Sequence, residues 1–296
     1  DMFDCMLEHG IQPVITLSHF EMPYGLCVKY GGWANRKLID FFVRYAKVCF
    51  EAFGDRVKLW STFNESDIAV TSGYGTNRFP PFREGNREGQ LAAHHVLLAH
   101  FRAVRLYKSM NLGGKIGAVN CFTAITPARM LEEDIGAAAR QTERRFGWWT
   151  QPMLEGTYPQ QLLRECPYVR DNMPENYQAD LDKWFVPMDF IGVNYYFCNR
   201  TQYNPDKPLL SNYVENFYSS PGQTCPPYPP GLMDVLQYGD ASRRKRCTGE
   251  FAPSMISGAQ RSITSQKTAA VCPISTMKKR NVMTRSGSPI CGSICV

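Results

Sequence analysis

The sequence predicts an α/β protein built on a parallel sheet, and three observations carry the prediction. Short apolar or β-branched runs end abruptly in polar side chains at Ile11 to His19, Val57 to Glu65 and Asp189 to Tyr196. Long stretches with helical periodicity separate such runs, and strands alternating with helices imply right-handed βαβ units. A chain of 296 residues, 44% apolar and 12% aromatic, buries a sizeable core, as one α/β barrel or as two smaller domains.

Asp1 to His9 reads as the last turns of a helix closed by Gly10, so the chain is expected to start inside a fold. The strand Ile11 to His19 follows. Asn35 to Phe53 is the next helix, with Asn35 as N-cap and Leu38, Phe41, Phe42, Tyr45, Val48, Cys49 and Ala52 expected on its buried face. The run Val57 to Glu65 is too short for a helix and ends in an amide and a carboxylate, the design of a buried parallel strand. A Gly/Pro/aromatic loop (Gly73 to Phe82), a long helix (Glu88 to Met110), a strand (Lys115 to Phe122) and a polar helix (Leu131 to Arg145) come next. An aromatic turn at Phe146 to Trp149 precedes the fourth strand, Asp189 to Tyr196.

Composition excludes several functions. No segment approaches the ~18 uninterrupted apolar residues of a spanning helix, so no membrane partner is expected. Eleven cysteines show no Cys-x-x-Cys pair and no Cys/His cluster, which argues against zinc and for reduced, mostly buried thiols and a cytoplasmic location. The net charge of +6 is local: residues 239–296 hold ten Lys/Arg against two Asp/Glu, a balance of +8, leaving −2 on residues 1–238. No nucleic-acid footprint therefore crosses the globular part. Residues 239–296 contain one aromatic, Phe251, where about seven would suit a core-forming segment. The expected organisation is a folded unit over 1–236 and a disordered or aberrant tail over 237–296, whose basic run Arg243 to Arg246 reads as a solvated charge run.

Polar groups at strand ends in barrels and open α/β sheets are where chemistry is kept. Three such ends offer His19, Asn64 with Glu65, and Asn194 with Tyr196. A glycosidic bond needs a carboxylic acid for its leaving oxygen and a second carboxylate for the oxocarbenium-like centre, while His and Asn hold ring hydroxyls. Glu65 is the candidate proton donor, and Trp148 and Trp33 are candidate stacking platforms.

Five motifs in register make the resemblance specific: Thr16-Leu17-Ser18-His19-Phe20, Tyr30-Gly31-Gly32-Trp33, Thr62-Phe63-Asn64-Glu65, Ala93-His94-His95 and Gly192-Val193-Asn194-Tyr195-Tyr196. Together they resemble glycoside hydrolase family 1 from about residue 1 to 236. The resemblance implies an incomplete (β/α)8 TIM barrel, with about four of eight βα units and a tail foreign to the family. It also implies retaining hydrolysis of β-glycosides, with a small β-glucoside or disaccharide as substrate and no metal or other cofactor. Carried over by position, Glu65 resembles the general acid/base, Asn64 the ligand of the sugar 2-hydroxyl and His19 a ligand of the 3-hydroxyl. Asn194 and Tyr196 resemble the groups that line the glycone site and hold the nucleophile, and His94 and His95 read as packing residues.

Three departures qualify the expectation. Ser66 stands where the family has Pro or a hydrophobe. His19-Phe20-Glu21-Met22-Pro23 resembles the branch acting on 6-phospho-β-glucosides. The Thr-Glu-Asn-Gly nucleophile motif occurs nowhere in the chain, and Glu250 does not replace it. The alternative expectation is therefore a catalytically inactive, truncated relative with weak sugar binding. An inverting pair of Glu65 with Glu21 or Asp67 is a minor alternative, both extra carboxylates otherwise serving as capping or salt-bridge groups.

Overall fold

A computed structural model describes residues 2–206, 212–214 and 270–273. In chain order the elements are α1 (Met2–Glu8), β1 (Val14–Ser18), α2 (Tyr24–Tyr30), α3 (Lys37–Phe53), β2 (Leu59–Asn64), α4 (Ser66–Tyr74) and α5 (Asn86–Ser109). Then come β3 (Lys115–Pro127), α6 (Glu132–Thr142), α7 (Trp148–Glu155), α8 (Gln160–Glu165), α9 (Pro167–Arg170), α10 (Tyr177–Trp184), β4 (Phe190–Gln202), β5 (Asn212–Val214) and β6 (Ala270–Pro273). The four predicted strands pair in sequence order, β1-β2-β3-β4, all parallel. β5 and β6 add antiparallel pairings to β4. β6 lies within 237–296, where the residue pattern shows no strand; the rest of that stretch, and the Pro230 to Leu236 segment, lie outside the described residues.

β2 shows why the sheet is parallel. Trp60 to Asn64 are all buried, the continuous burial of an inner parallel strand flanked by β1 and β3. Trp60 meets Phe50 of α3 edge-on at 5.1 Å, and Tyr107 of α5 closes the same cluster. α5 is the central helix, buried from Ala92 through Ala99 and packed on α3, α4 and α10. β3 approaches β4 so closely that a Cβ on Gly117 would collide with the Phe190 carbonyl, so only glycine fits there.

The α3 face is rotated from the expected one. Leu38, Ile39, Phe42, Ala46 and Phe50 are buried, whereas Tyr45 and Val48 are 49% and 58% exposed. The helix carries two adjacent apolar stripes, and periodicity alone does not say which one meets the sheet. Asn35 does cap: its Oδ1 accepts the Lys37 backbone N–H at 3.0 Å.

Candidate active site

A bulge decides where the polar end of β2 points. Trp60 packs on α3, and strict alternation would send Thr62 and Asn64 the same way. Thr62 does face the shell, bonding His100 Nδ1 on α5 at 2.7 Å. Between Ser61 and Asn64, however, the β2–β3 register shifts. Phe63 then stacks on Phe42 of α3 at 4.4 Å, with Trp33 edge-on at 5.5 Å. Asn64 is thereby turned away from the helices. The next residue, Glu65, adopts a left-handed backbone (φ 50°, ψ 55°), and its N–H donates to the Val119 carbonyl at 2.7 Å. A non-glycine residue held in that region at a candidate site is strain maintained by its surroundings.

The turn delivers Asn64 and Glu65 to the ends of β1 and β4. Asn194 Nδ2 donates to Glu65 Oε1 at 2.7 Å and to Asn64 Oδ1 at 3.0 Å. The Tyr196 hydroxyl reaches the same Glu65 oxygen at 3.3 Å. With Asn64 Oδ1 accepting, its Nδ2 faces His19 Nε2 at 3.1 Å, which requires His19 to carry its hydrogen on Nδ1. All five predicted residues thus form one hydrogen-bonded chain across three strand ends. Glu65, Asn64 and Asn194 are buried, while His19 and Tyr196 are exposed at its mouth.

Other predicted groups fall elsewhere. Trp148 is buried in the core, its ring 4.5 Å from that of Tyr158, and so is no sugar platform. Trp33 packs between Phe42 and Phe63, and its loop is held by Tyr74, whose hydroxyl donates to the Gly31 carbonyl at 2.9 Å and accepts the Ala34 N–H at 3.1 Å. Both Glu21 carboxylate oxygens accept the His19 backbone N–H, at 2.9 and 3.0 Å, so Glu21 is a capping group. His94 and His95 do pack: His94 lies between the Tyr158 hydroxyl (3.0 Å) and Asp180 (3.3 Å), and His95 Nδ1 meets the Trp33 carbonyl at 2.8 Å. No cluster of metal-ligating side chains occurs among the described residues.

A second group of polar residues, which the sequence pattern does not single out, adjoins Glu65. Asp67, Asn120, Cys121 and Arg145 line a crevice between the middle of β3 and the π-helical turn Glu143–Gly147. Burial pushes the Asp67 carboxyl up to about 7, against the pull of the Arg145 guanidinium and with a further push from Glu65. Burial likewise raises the Cys121 thiol, and a hydrogen bond to Glu65 adds to it.

Comparison with known proteins now decides the family. Residues 1–223 match the model of glycosyl hydrolase family 1. The chain belongs to this family. Beta-glucosidase A of Thermotoga maritima is 34% identical over 237 residues, covering 80% of this chain and 52% of the relative. Oleuropein beta-glucosidase of Olea europaea is 31% identical over 252 residues, covering 74% of this chain and 45% of the relative. Among solved structures, the family 1 b-glucosidase from Thermotoga maritima matches with a TM-score of 0.75 at 34% identity, over 80% of this chain and 53% of that one. A Thermotoga maritima beta-glucosidase in complex with deoxynojirimycin matches with a TM-score of 0.76 at 32% identity, over 82% and 54%. The chain spans about half the length of the family 1 relatives it matches, and its four parallel strands are an incomplete TIM barrel.

Proposed function

We propose that this family 1 chain carries the acid/base half of a retaining β-glycosidase site. The observation that supports it most is the convergence of His19, Asn64, Glu65, Asn194 and Tyr196 in one hydrogen-bonded chain at three strand ends. In this reading Glu65 protonates the leaving oxygen of a β-glucoside or 6-phospho-β-glucoside, then takes a proton from the attacking water. Asn64 and His19 hold ring hydroxyls, and Asn194 and Tyr196 orient the Glu65 carboxyl. The names of the relatives, β-glucosidases throughout those cited, support a small β-glucoside as substrate. All of these groups lie within residues 1–236, and none within 237–296.

A retaining mechanism needs a second carboxylate about 5–5.5 Å from the first. The family motif that supplies it is absent from these 296 residues, and in this reading the chain is inactive by itself. The test is hydrolysis of an aryl β-glucoside with and without azide or formate. Turnover only with the added anion is expected, since an external nucleophile then replaces the carboxylate beside an intact acid/base. Unaided turnover would overturn the assignment of inactivity, and an absence of rescue would overturn the assigned acid/base site.

A further inference from the structure

One loop brackets the strained turn at Glu65 from both sides. Residues 31–34 connect α2 to α3 and contribute no group to the proposed acid/base step. On the N-terminal side of the turn, Trp33 packs edge-on against Phe63 at 5.5 Å, and Phe63 directly precedes Asn64 and Glu65. On the C-terminal side, α4 starts at Ser66 and ends at Tyr74, whose hydroxyl donates to the Gly31 carbonyl at 2.9 Å and accepts the Ala34 N–H at 3.1 Å. A third tie comes from α5. His95 Nδ1 meets the Trp33 carbonyl at 2.8 Å, and because a carbonyl only accepts, that nitrogen carries the hydrogen. Tyr74 and His95 are both buried, so these bonds are shielded from water. Gly32 has a left-handed backbone (φ 66°), and a Cβ there would stand 2.6 Å from the Tyr74 hydroxyl and displace it. Trp33, Phe63, Asn64, Ser66 and Tyr74 share the lining of one small cavity of about 20 Å³, so the loop and the turn form one packing unit.

We infer that Tyr74, seconded by His95, is a positioning residue for the acid/base step: it ties the 31–34 loop to α4 and so holds the Asn64–Glu65 turn where Asn194 meets it. The inference rests on the acid/base reading of Glu65. A non-glycine residue keeps a left-handed backbone only while its surroundings fix it. The fixing comes on one side from Phe63, pinned between Trp33 and Phe42, and on the other from α4, whose far end Tyr74 anchors. Without the Tyr74 hydroxyl, the Gly31 carbonyl and the Ala34 N–H lose this partner, and the loop that presses Trp33 on Phe63 loosens. The Glu65 carboxyl then drifts from Asn194 Nδ2, which it meets at 2.7 Å. A reacting group displaced by about 1 Å loses a large part of its rate.

The experiment combines the ¹H–¹⁵N NMR signal of the Asn194 side-chain amide with azide-rescued hydrolysis of an aryl β-glucoside, on the full chain as wild type, Tyr74→Phe and His94→Gln. In Tyr74→Phe the Asn194 signal moves, and kcat of the rescued reaction falls about tenfold or more while KM changes less than about twofold, since the groups that hold the sugar are kept. His94→Gln alters the neighbouring position of α5 without touching the loop, and moves neither readout. An unmoved Asn194 signal or an unchanged kcat in Tyr74→Phe overturns the inference, and so do equal changes in His94→Gln. Should Tyr74→Phe not fold, His95→Asn and His95→Leu carry the same test. Asparagine keeps an N–H near the Nδ1 position for the Trp33 carbonyl and retains more of the rescued rate than leucine; equal losses overturn the inference. A wild type without rescued turnover overturns the acid/base reading, whereas a moved Asn194 signal in Tyr74→Phe still supports the bracket, so the two failures are distinguishable.

Discussion

Two polar groups of this molecule, built from the same kinds of side chain, have opposite fates. At the strand ends, an imidazole, two amides, a phenol and a carboxyl form a chain that runs from the buried Asn194 to the exposed His19. In the helical shell, His94, Tyr158, Asp180 and Arg36 form another chain, with Arg36 gripping Asp180 in two bonds of 2.6 and 2.7 Å. Both rings of the shell dyad, His94 and Tyr158, are fully buried, and both His94 nitrogens are engaged by protein groups. The shell chain reaches solvent as well, at Arg36, but that guanidinium is paired with Asp180, whereas the strand-end chain ends in the exposed His19 and Tyr196. The two networks differ in where the exposed end lies and what already engages it, not in which kinds of residue are present.

That contrast can be broken at several points. The largest effect is expected from Glu65→Gln, which removes the proton donor but keeps the amide-compatible shape. Azide-rescued hydrolysis of a β-glucoside with a poor leaving group should fall by about 10²–10⁴. Retained turnover would show that the strand-end chain is also merely structural.

In the shell, His94→Ala should cost about 3 kcal/mol in denaturant unfolding, because it opens a cavity and leaves the Tyr158 hydroxyl and part of Asp180 without their partner. The same histidine sets a pH window. Burial lowers its imidazole to about 4 in the fold, against 6.5 in the unfolded chain, despite the opposing pull of Asp180. The unfolded state therefore binds the proton first, and stability is lost as pH falls from about 6.5 toward 4. The loss should be much smaller in His94→Gln, as read by urea unfolding at several pH values.

A smaller change is expected from His19→Ala, which truncates the exposed end of the strand-end chain. Affinity for a glucose-like inhibitor should fall roughly tenfold, about one lost neutral hydrogen bond, with stability nearly unchanged. The smallest is Val48→Ser, within about 0.5 kcal/mol of wild type, since that side chain is 58% exposed; Phe42→Ala on the adjacent, buried stripe should cost about 3–5 kcal/mol. Equal losses at the two positions would contradict the observed α3 face.

The unequal success of pattern reading has the same origin. Helix existence is legible because α3 and α5 carry long periodic runs, yet periodicity puts Tyr45 and Val48 on the buried side of α3 where the structure exposes them, since two neighbouring stripes are both apolar. Trp148 looked like an exposed platform in an aromatic turn, and only its packing on Tyr158 shows it to be core. The packing role of His94 and His95 was readable from their position within a helix.

By itself, the sequence determined the alternation of strands and helices, the residues standing at each strand end, and the absence of the family's nucleophile motif. Those are local properties: short apolar runs, periodicity and residue identity are written along the chain. Tertiary structure alone decided that Asn64 and Glu65 turn inward, because the shift between β2 and β3 and the left-handed backbone at Glu65 depend on pairing with Val119. It alone also put Cys121 and Arg145 beside Asp67, from segments 54 and 78 residues further on, a proximity no local pattern encodes.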